Sequence, residues 1–188
     1  TLYGIVPQSM KALKNRIILD YEELRRLIEA HKTIGHRIVC TIGSWDMLHI
    51  GHLRYLIRAK EHGDILVVGT DSDRGIKIYK KNDLRPVIPQ EERMEMLQYQ
   101  ECVDYVTLVD DINEEGKWQY GLAQILRPHV FITTPESYPP EQIEDIKQFA
   151  EQVVVLPRQA EKTSSTGIIE HTVKKHLDAL LEQLVKKG

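Results

Sequence analysis

Two histidines, His49 and His52, stand three residues apart where a glycine turn runs into a helical pattern, in Cys40-Thr-Ile-Gly-Ser-Trp-Asp-Met-Leu-His-Ile-Gly-His52. If the first helical turn includes both, they share a face and converge on one anion. Gly51 between them carries no side chain to block the close approach of a phosphate. Free amides at the helix start and the helix dipole favour negative charge at the same place. The stretch therefore reads as a nucleotide-phosphate site. A zinc pair needs a third ligand of matching spacing, and none is evident nearby. Two satisfied core histidines are not expected beside turn chemistry.

Presenting these residues takes a strand before the turn and a helix after it. Arg37–Ile42 is a short β-branched run closed by Gly43, which fits a buried parallel strand. Leu53, Leu56 and Ile57 continue the helical spacing to a cap at Gly63, and Asp64–Thr70 supplies a second buried strand. Together they make a right-handed βαβ unit. Upstream, Asp20 caps a helix with Glu23 reaching back to it, Leu24, Leu27 and Ile28 on one face, and an end near Gly35. Downstream, Asp71 to Pro89 reads as a long polar loop holding Arg74, Lys77, Lys80, Lys81 and Arg85. A helix over Gln90–Gln98 turns Met94 and Leu97 inward, and a strand over Asp104–Val109 follows. Then come a helix over Lys117–Leu126, a strand over His129–Ile132, a helix over Glu141–Glu151 and a strand over Val153–Leu156. The last helix runs from about Gly167 to Val185, with Ile168, Val173, Leu177, Leu180, Leu181 and Leu184 expected on its buried face.

This alternation predicts an α/β fold, a Rossmann-like, doubly wound sheet of five parallel strands in the order 3-2-1-4-5. Residues 1–19 read as an amino-terminal arm and residues 20–188 as a single domain. Ligands of such a sheet bind beyond the carboxyl ends of its strands, where the strand order reverses. That places a crevice between the first and fourth strands, flanked by Gly43–Leu48 and Thr133–Ser137. The 188 residues are 41% hydrophobic and 28% charged with a net charge of −3, so composition gives no reason to expect a nucleic-acid or membrane partner. Two cysteines in apolar runs point to a reducing, cytoplasmic setting. The first ten residues lack the pattern of a signal peptide, and no apolar run is long enough to span a membrane.

Thr41-Ile-Gly-Ser-Trp-Asp-Met-Leu-His-Ile-Gly-His52 resembles the GxFDxxHxGH motif of the cytidylyltransferase-like nucleotidyltransferases, with Trp45 in place of Phe. Arg93 after Pro89-Gln-Glu-Glu resembles that family's arginine on the helix after the long loop, and Arg158 through Thr166 resembles its RTxGIST segment. Asp20–His31 and Arg85–Met94 look most like the heptose 1-phosphate adenylyltransferase domain of ADP-heptose synthesis. The resemblance covers roughly residues 17–180 and implies an enzyme that joins NMP from an NTP, ATP by this likeness, to a phosphorylated sugar or polyol with release of pyrophosphate. It implies that His49 and His52 hold the triphosphate, that Lys77 or Lys80 reaches the phosphates, and that Arg158 is catalytic. It places Ile42, Gly43, Ser44, Trp45, Asp46, Gly51 and Arg93 at the nucleotide, with Thr163, Ser164, Ser165 and Thr166 opening the last helix at the β- and γ-phosphates. Thr133, Thr134, Ser137 and Tyr138 fall on the acceptor side. Mg2+ accompanies the NTP, no resident metal is implied, the partners are small molecules, and a homodimer is compatible.

The chain departs from this pattern in three places. Thr133-Thr-Pro-Glu-Ser-Tyr138 stands where the heptose enzymes carry KGGDY, losing the lysine and both glycines. Lys162 occupies a usual glycine position, and Trp45 replaces phenylalanine. A glycerol 3-phosphate-type cytidylyltransferase using CTP is the neighbouring alternative. A non-catalytic nucleotide-binding sensor is the alternative of another class, motivated by the altered Thr133–Tyr138 segment. An aminoacyl-tRNA synthetase also carries a HIGH sequence, but this chain is short, has no KMSKS-like loop and has no basic surface.

Overall fold

The computed structural model describes residues 15–81 and 84–185, with side chains as far as residue 177. Residues 1–14 of the expected arm, and the side chains of Leu180, Leu181 and Leu184, lie outside the described set. In chain order the elements are α1 (Tyr21–Thr33), β1 (Ile38–Gly43), α2 (Ile50–Lys60), β2 (Ile65–Asp71), α3 (Asp73–Lys80) and α4 (Gln90–Gln98). They continue with β3 (Tyr105–Val109), α5 (Gly121–Leu126), β4 (Val130–Thr133), α6 (Pro140–Ile146), β5 (Gln152–Val155) and α7 (Ser165–Val185). The strands pair in parallel in the order β3-β2-β1-β4-β5, the doubly wound arrangement that the alternation predicts.

Alternation along the central strands feeds two cores. Cys40 and Val67 face Leu24 and Ile28 of α1 and Leu122 and Leu126 of α5. Val39 and Leu66 face Leu56 and Ala59 of α2 and Met94 and Leu97 of α4. Because both faces of β1 and β2 are covered, these strands are buried along almost their whole length and mostly apolar, as buried parallel strands tend to be. The outer edge of β3 is covered by the chain entering α1. Ile18 N donates to Val106 O at 2.9 Å, and Val106 N donates to Arg16 O at 2.8 Å. An edge covered in this way offers no row of unpaired amides for another chain.

Several expectations are corrected. The loop expected from Asp71 to Pro89 contains α3, because Ser72 accepts from Gly75 N as an N-cap, Asp73 sits in the first turn and Ile76 is fully buried. The helix expected from Lys117 begins only at Gly121. Tyr120 takes a left-handed φ of 64°, and Trp118 forms an antiparallel bridge with Ile112. The helix α6 stops at Ile146 rather than Glu151. Val173 and Leu177, expected on the buried face of α7, are about half exposed, as is Ile57 on α2. The buried face of α2 is Tyr55, Leu56 and Ala59.

Arg93 of α4 is also repositioned. It is fully buried, and its guanidinium is occupied by the protein: Nε donates to Ile88 O at 2.9 Å, and Nη2 donates to Asp71 O at 2.9 Å and Asp73 Oδ1 at 2.6 Å. Nη1 donates to Ser44 O. One cation thus ties the turn after β1, the end of β2, the start of α3 and the segment before α4. A guanidinium's rigid fork suits this task, and removing it leaves carbonyls and a carboxylate without their donor. Replacing Arg93 with Met is expected to lower the unfolding free energy in urea by ~3–5 kcal/mol, the usual cost of breaking a buried pair from one side. A loss under ~1 kcal/mol would show that these acceptors find other donors.

Candidate active site

The turn between β1 and α2 is held in an uncommon backbone shape. Trp45 and Met47 adopt φ of 51° and 52°, in the left-handed region that costs a side-chain-bearing residue energy and persists only where its surroundings impose it. Two contacts impose it here. Trp45 Nε1 donates to Gly69 O of β2 at 2.8 Å, with its ring 96% buried. Between the two strained residues, the carboxylate of Asp46 is fully buried and accepts from Val87 N at 3.0 Å and Ile88 N at 3.0 Å, and pairs with Arg85 at 2.7 Å. The carbonyl of Asp46 accepts from Ser165 Oγ at 2.6 Å, which fastens the start of α7 to the same turn.

His49 is the N-cap of α2. Its Nδ1 accepts from Gly51 N at 3.1 Å, so the neutral ring carries its proton on Nε2. His52 stacks on it with ring centroids 4.0 Å apart. The Nδ1 of His52 is buried with no hydrogen-bond partner. A buried N–H without an acceptor is rarer and costlier than a bare lone pair, which again assigns the proton to Nε2. Burial and then the neighbouring His49 push the His52 pKa down to about 4, against a smaller opposing pull from Asp46. Burial and Arg158 lower that of His49. Both rings are therefore neutral N–H donors near pH 7. Gly51 has a different reason from the one its spacing suggests. A Cβ there would lie 2.9 Å from His49 Cε1 and 3.0 Å from the Ala160 methyl, so glycine lets the ring and the segment after β5 pack against the helix start.

A cavity of about 810 Å³ lies beyond the carboxyl ends of the strands. It brings together Ile42, Gly43, Ser44 and Trp45 from the turn, His49, Gly51 and His52 from α2, Lys80 from α3, and Arg158 with Thr163, Ser164, Ser165 and Thr166 around the start of α7. Thr134, Ser137 and Tyr138 line its other side. Four expected residues do not line it. Asp46 and Arg93 are fully buried behind it in the contacts described above, and Thr133 is 99% buried within β4. Lys77 is exposed on α3 away from the cavity, whereas Lys80 reaches it, with its ammonium 5.4 Å from the centre of the lining Tyr79 ring. At the start of α7, Ser164 Oγ accepts from Gly167 N at 3.0 Å, an ordinary N-cap.

The cavity also holds residues that the spacing of motifs does not reveal: Asp71, Tyr79, Asp111 and Trp118. Tyr79 Oη donates to Asp71 Oδ2 at 2.8 Å, and burial pushes the Asp71 carboxyl up to about 6, against the pull of that bond and of Arg93. Burial also raises the pKa of Asp111, whose Oδ2 accepts from Gly121 N at 2.5 Å. A usable signal was present, because both aspartates stand at or just past the carboxyl end of a strand, where this architecture gathers ligand contacts. Among the described residues no group of three or more His, Cys, Asp or Glu is arranged to hold a metal ion, and no helix is long and apolar enough to cross a membrane.

Comparison with known proteins agrees with this geometry. The sequence pattern described as cytidylyltransferase-like matches residues 40–171, from β1 into α7. Among curated relatives, the bifunctional protein HldE of a Nitratiruptor species is 38% identical over 122 residues, 65% of this chain and 25% of that protein. The bifunctional protein HldE of Pelobacter propionicus is 34% identical over 167 residues, 87% of this chain and 32% of that protein. The chain thus spans about a quarter to a third of the length of the relatives it matches. Two solved structures share the fold. The lipopolysaccharide core biosynthesis protein of Thermoplasma volcanium has a TM-score of 0.51 at 23% identity, covering 67% of this chain and 98% of that one. The pantoate-beta-alanine ligase of Francisella tularensis, solved with beta-gamma ATP and beta-alanine, has 0.53 at 14% identity, covering 77% and 67%. With the family pattern running from the strained turn through both cavity walls, the chain belongs to the cytidylyltransferase-like family of nucleotidyltransferases.

Proposed function

We propose that the chain transfers AMP from ATP to the phosphate of a phosphorylated sugar or polyol and releases pyrophosphate, acting on small molecules in the cytoplasm. The observation that carries this reading is that one cavity unites the paired histidines, Arg158 and the start of α7 on one side with Thr134, Ser137 and Tyr138 on the other. An oxygen of the acceptor phosphate attacks the α-phosphorus, the bond from that phosphorus to the bridging oxygen of the β-phosphate breaks, and pyrophosphate departs with the bonding pair. Such a displacement asks the protein for alignment and charge stabilisation rather than covalent help. His49 and His52 would donate Nε2–H to the transferring group, while Arg158 and Lys80 offset its charge. The N-cap and first amides of α7 would hold the departing phosphates.

Magnesium enters as part of the triphosphate substrate. The preference for ATP over CTP rests on the likeness of Asp20–His31 and Arg85–Met94 to the ADP-heptose-forming domain.

Pyrophosphate release, assayed with each of four nucleoside triphosphates against a panel of sugar and polyol monophosphates, is expected to be fastest with ATP. Tight nucleotide binding without release on any acceptor would favour the sensor reading instead. Replacing His49 or His52 with Ala should lower kcat by ~10²–10³-fold, the usual effect of losing a preorganised donor. Unchanged turnover in a folded variant would remove that histidine from the site.

Gly51→Ala should act through His49, because the added methyl displaces its ring. The expected signature is a loss of turnover approaching that of His49→Ala, with an unfolding midpoint that falls only modestly.

The histidine protonation states have their own check. Followed by NMR, the His52 ring should titrate near pH 4 rather than 6.5. Since unfolding restores the ordinary value, the unfolded chain binds this proton first as pH falls. The His52 contribution to stability is then intact above pH 6.5 and is lost progressively between about 6.5 and 4. A midpoint near 6.5 would contradict a buried neutral donor.

A further inference from the structure

Among the described residues, three permanent cations line the cavity: Lys80, Arg85 and Arg158. Arg85 differs from the others in standing against a fully buried counter-ion. Its side chain is 13% exposed, and its Nε lies 2.7 Å from Asp46 Oδ2. The attraction between them is Coulombic rather than directional, because Nε is shielded and makes no hydrogen bond of ordinary geometry. The oxygens of Asp46 accept instead from Val87 N and Ile88 N, each at 3.0 Å.

The guanidinium therefore keeps its donors. Nη1 and Nη2 are not among the side-chain atoms sealed from solvent, and neither makes a hydrogen bond to a described residue. With Arg85 in the lining, the part of the fork that stays open belongs to the cavity wall. Two other arginines show the contrast. Arg93 spends Nε, Nη1 and Nη2 on three carbonyls and a carboxylate, and Arg74 spends Nε and Nη2 on Asp110 and the carbonyl of Ile112. A planar fork held by a counter-ion at Nε and left free at its two terminal nitrogens suits an anion that offers a pair of oxygens. Because Asp46 already holds the side chain in place, little rotamer freedom is lost when that anion arrives.

Position decides which anion this is. Asp46 belongs to the turn before α2, and its carbonyl accepts from Ser165 Oγ at the start of α7. Arg85 thus stands beside the junction of two helix starts, where the departing phosphates are expected. Arg158 is close enough to His49 to help lower its pKa, whereas Arg85 contributes to the shift of neither histidine. Of the two arginines, Arg158 is the one nearer the transferring group.

We propose that Arg85 grips the departing pyrophosphate through Nη1 and Nη2, with Asp46 as the counter-ion that holds its guanidinium in place. This rests on the nucleotidyl-transfer reading above. It adds a binding residue that no motif spacing marks, and it gives the buried Asp46 a second task. The carboxylate that shapes the turn also orients a cation toward the leaving group. Charge that builds on the bridging oxygen as the bond to the α-phosphorus breaks would meet a fork already in position.

The test measures binding rather than turnover. Calorimetry with magnesium pyrophosphate, and separately with AMP, compares the unaltered protein with Arg85→Lys, which keeps a cation beside Asp46 but loses the fork. The dissociation constant for pyrophosphate is expected to rise by at least ~10-fold, as loss of a hydrogen bond to a charged group does, while that for AMP stays within about twofold. The His52 titration near pH 4 should be unchanged in the variant, which shows that the turn is intact. Should Arg85→Lys fail to fold, NMR of the unaltered protein decides. The Arg85 Nε–H resonance should shift on addition of magnesium pyrophosphate, and that of the fully committed Arg93 should not. Equal pyrophosphate affinity in the two proteins, AMP and pyrophosphate weakened alike, or an Arg85 resonance indifferent to pyrophosphate would each overturn the proposal and leave Arg85 only as the partner of Asp46. Failure of the transfer reading is distinct, because it shows in the unaltered protein as no pyrophosphate release with any triphosphate and acceptor.

Discussion

The site depends on one buried carboxylate. Asp46 has no exposed surface, and a charge so placed is tolerated only when it is fully paired. Two backbone amides and the Arg85 guanidinium satisfy it, and all three belong to the single short segment before α4. Because Asp46 sits between the left-handed residues Trp45 and Met47, the same bonds fix the strained turn that begins α2. Its carbonyl, through Ser165, fixes where α7 begins. The histidine donors, the helix start expected to meet the departing phosphates and the cavity-lining Arg85 thus have their positions set from one point. Arg93 reinforces this point from behind by holding Ser44 and Ile88, the residues that flank the same junction. The two buried ions carry opposite charge and never meet. Each is neutralised by the backbone and side chains that it organises.

Neutral histidines are a consequence of this packing. Rings stacked at 4.0 Å, with Arg158 beside His49, cannot both hold protons near pH 7 without strong repulsion. Desolvation settles the matter in favour of the uncharged form. A neutral N–H donor strengthens as charge develops on a phosphoryl group and does not clamp the ground state as tightly as a cation would. Permanent charge comes instead from Arg158 and Lys80 at the cavity edge. In the proposed transfer, directional hydrogen bonds would serve the reacting centre and Coulombic attraction its periphery.

The sequence conveyed those features that local spacing controls. Strand order, the Asp20 cap, the bounds of α4 and the pairing of His49 with His52 follow from periodicity and turn chemistry within short windows. Where a side chain's environment is set by distant segments, spacing misled. Ile57, Val173 and Leu177 keep helical periodicity, yet about half of each stays exposed. Ser72-Asp73 was a legible cap that the run of charges through Arg85 concealed, and with it α3. The resemblance places Asp46 and Arg93 at the nucleotide, whereas both are buried in contacts with the protein itself, because a motif does not record which way a residue points. Of the two lysines offered for the phosphates, only Lys80 faces the cavity, a distinction that required α3 to be seen as a helix.

The contrast between the two sides of the cavity has the same origin. The side expected to meet phosphate is built from the turn after β1 with the start of α2, and from the start of α7, so it leaves two short sequence motifs. The opposite wall draws Asp71 from the end of β2, Asp111 and Trp118 from the connection after β3, and Tyr138 from the connection after β4. These residues lie in three separate stretches of sequence. Their convergence is enforced by the sheet: parallel strands β3, β2, β1 and β4 deliver all their carboxyl ends to one rim. A connection can therefore change length or composition, as Thr133–Tyr138 has, while the strands continue to aim its residues at the same cavity.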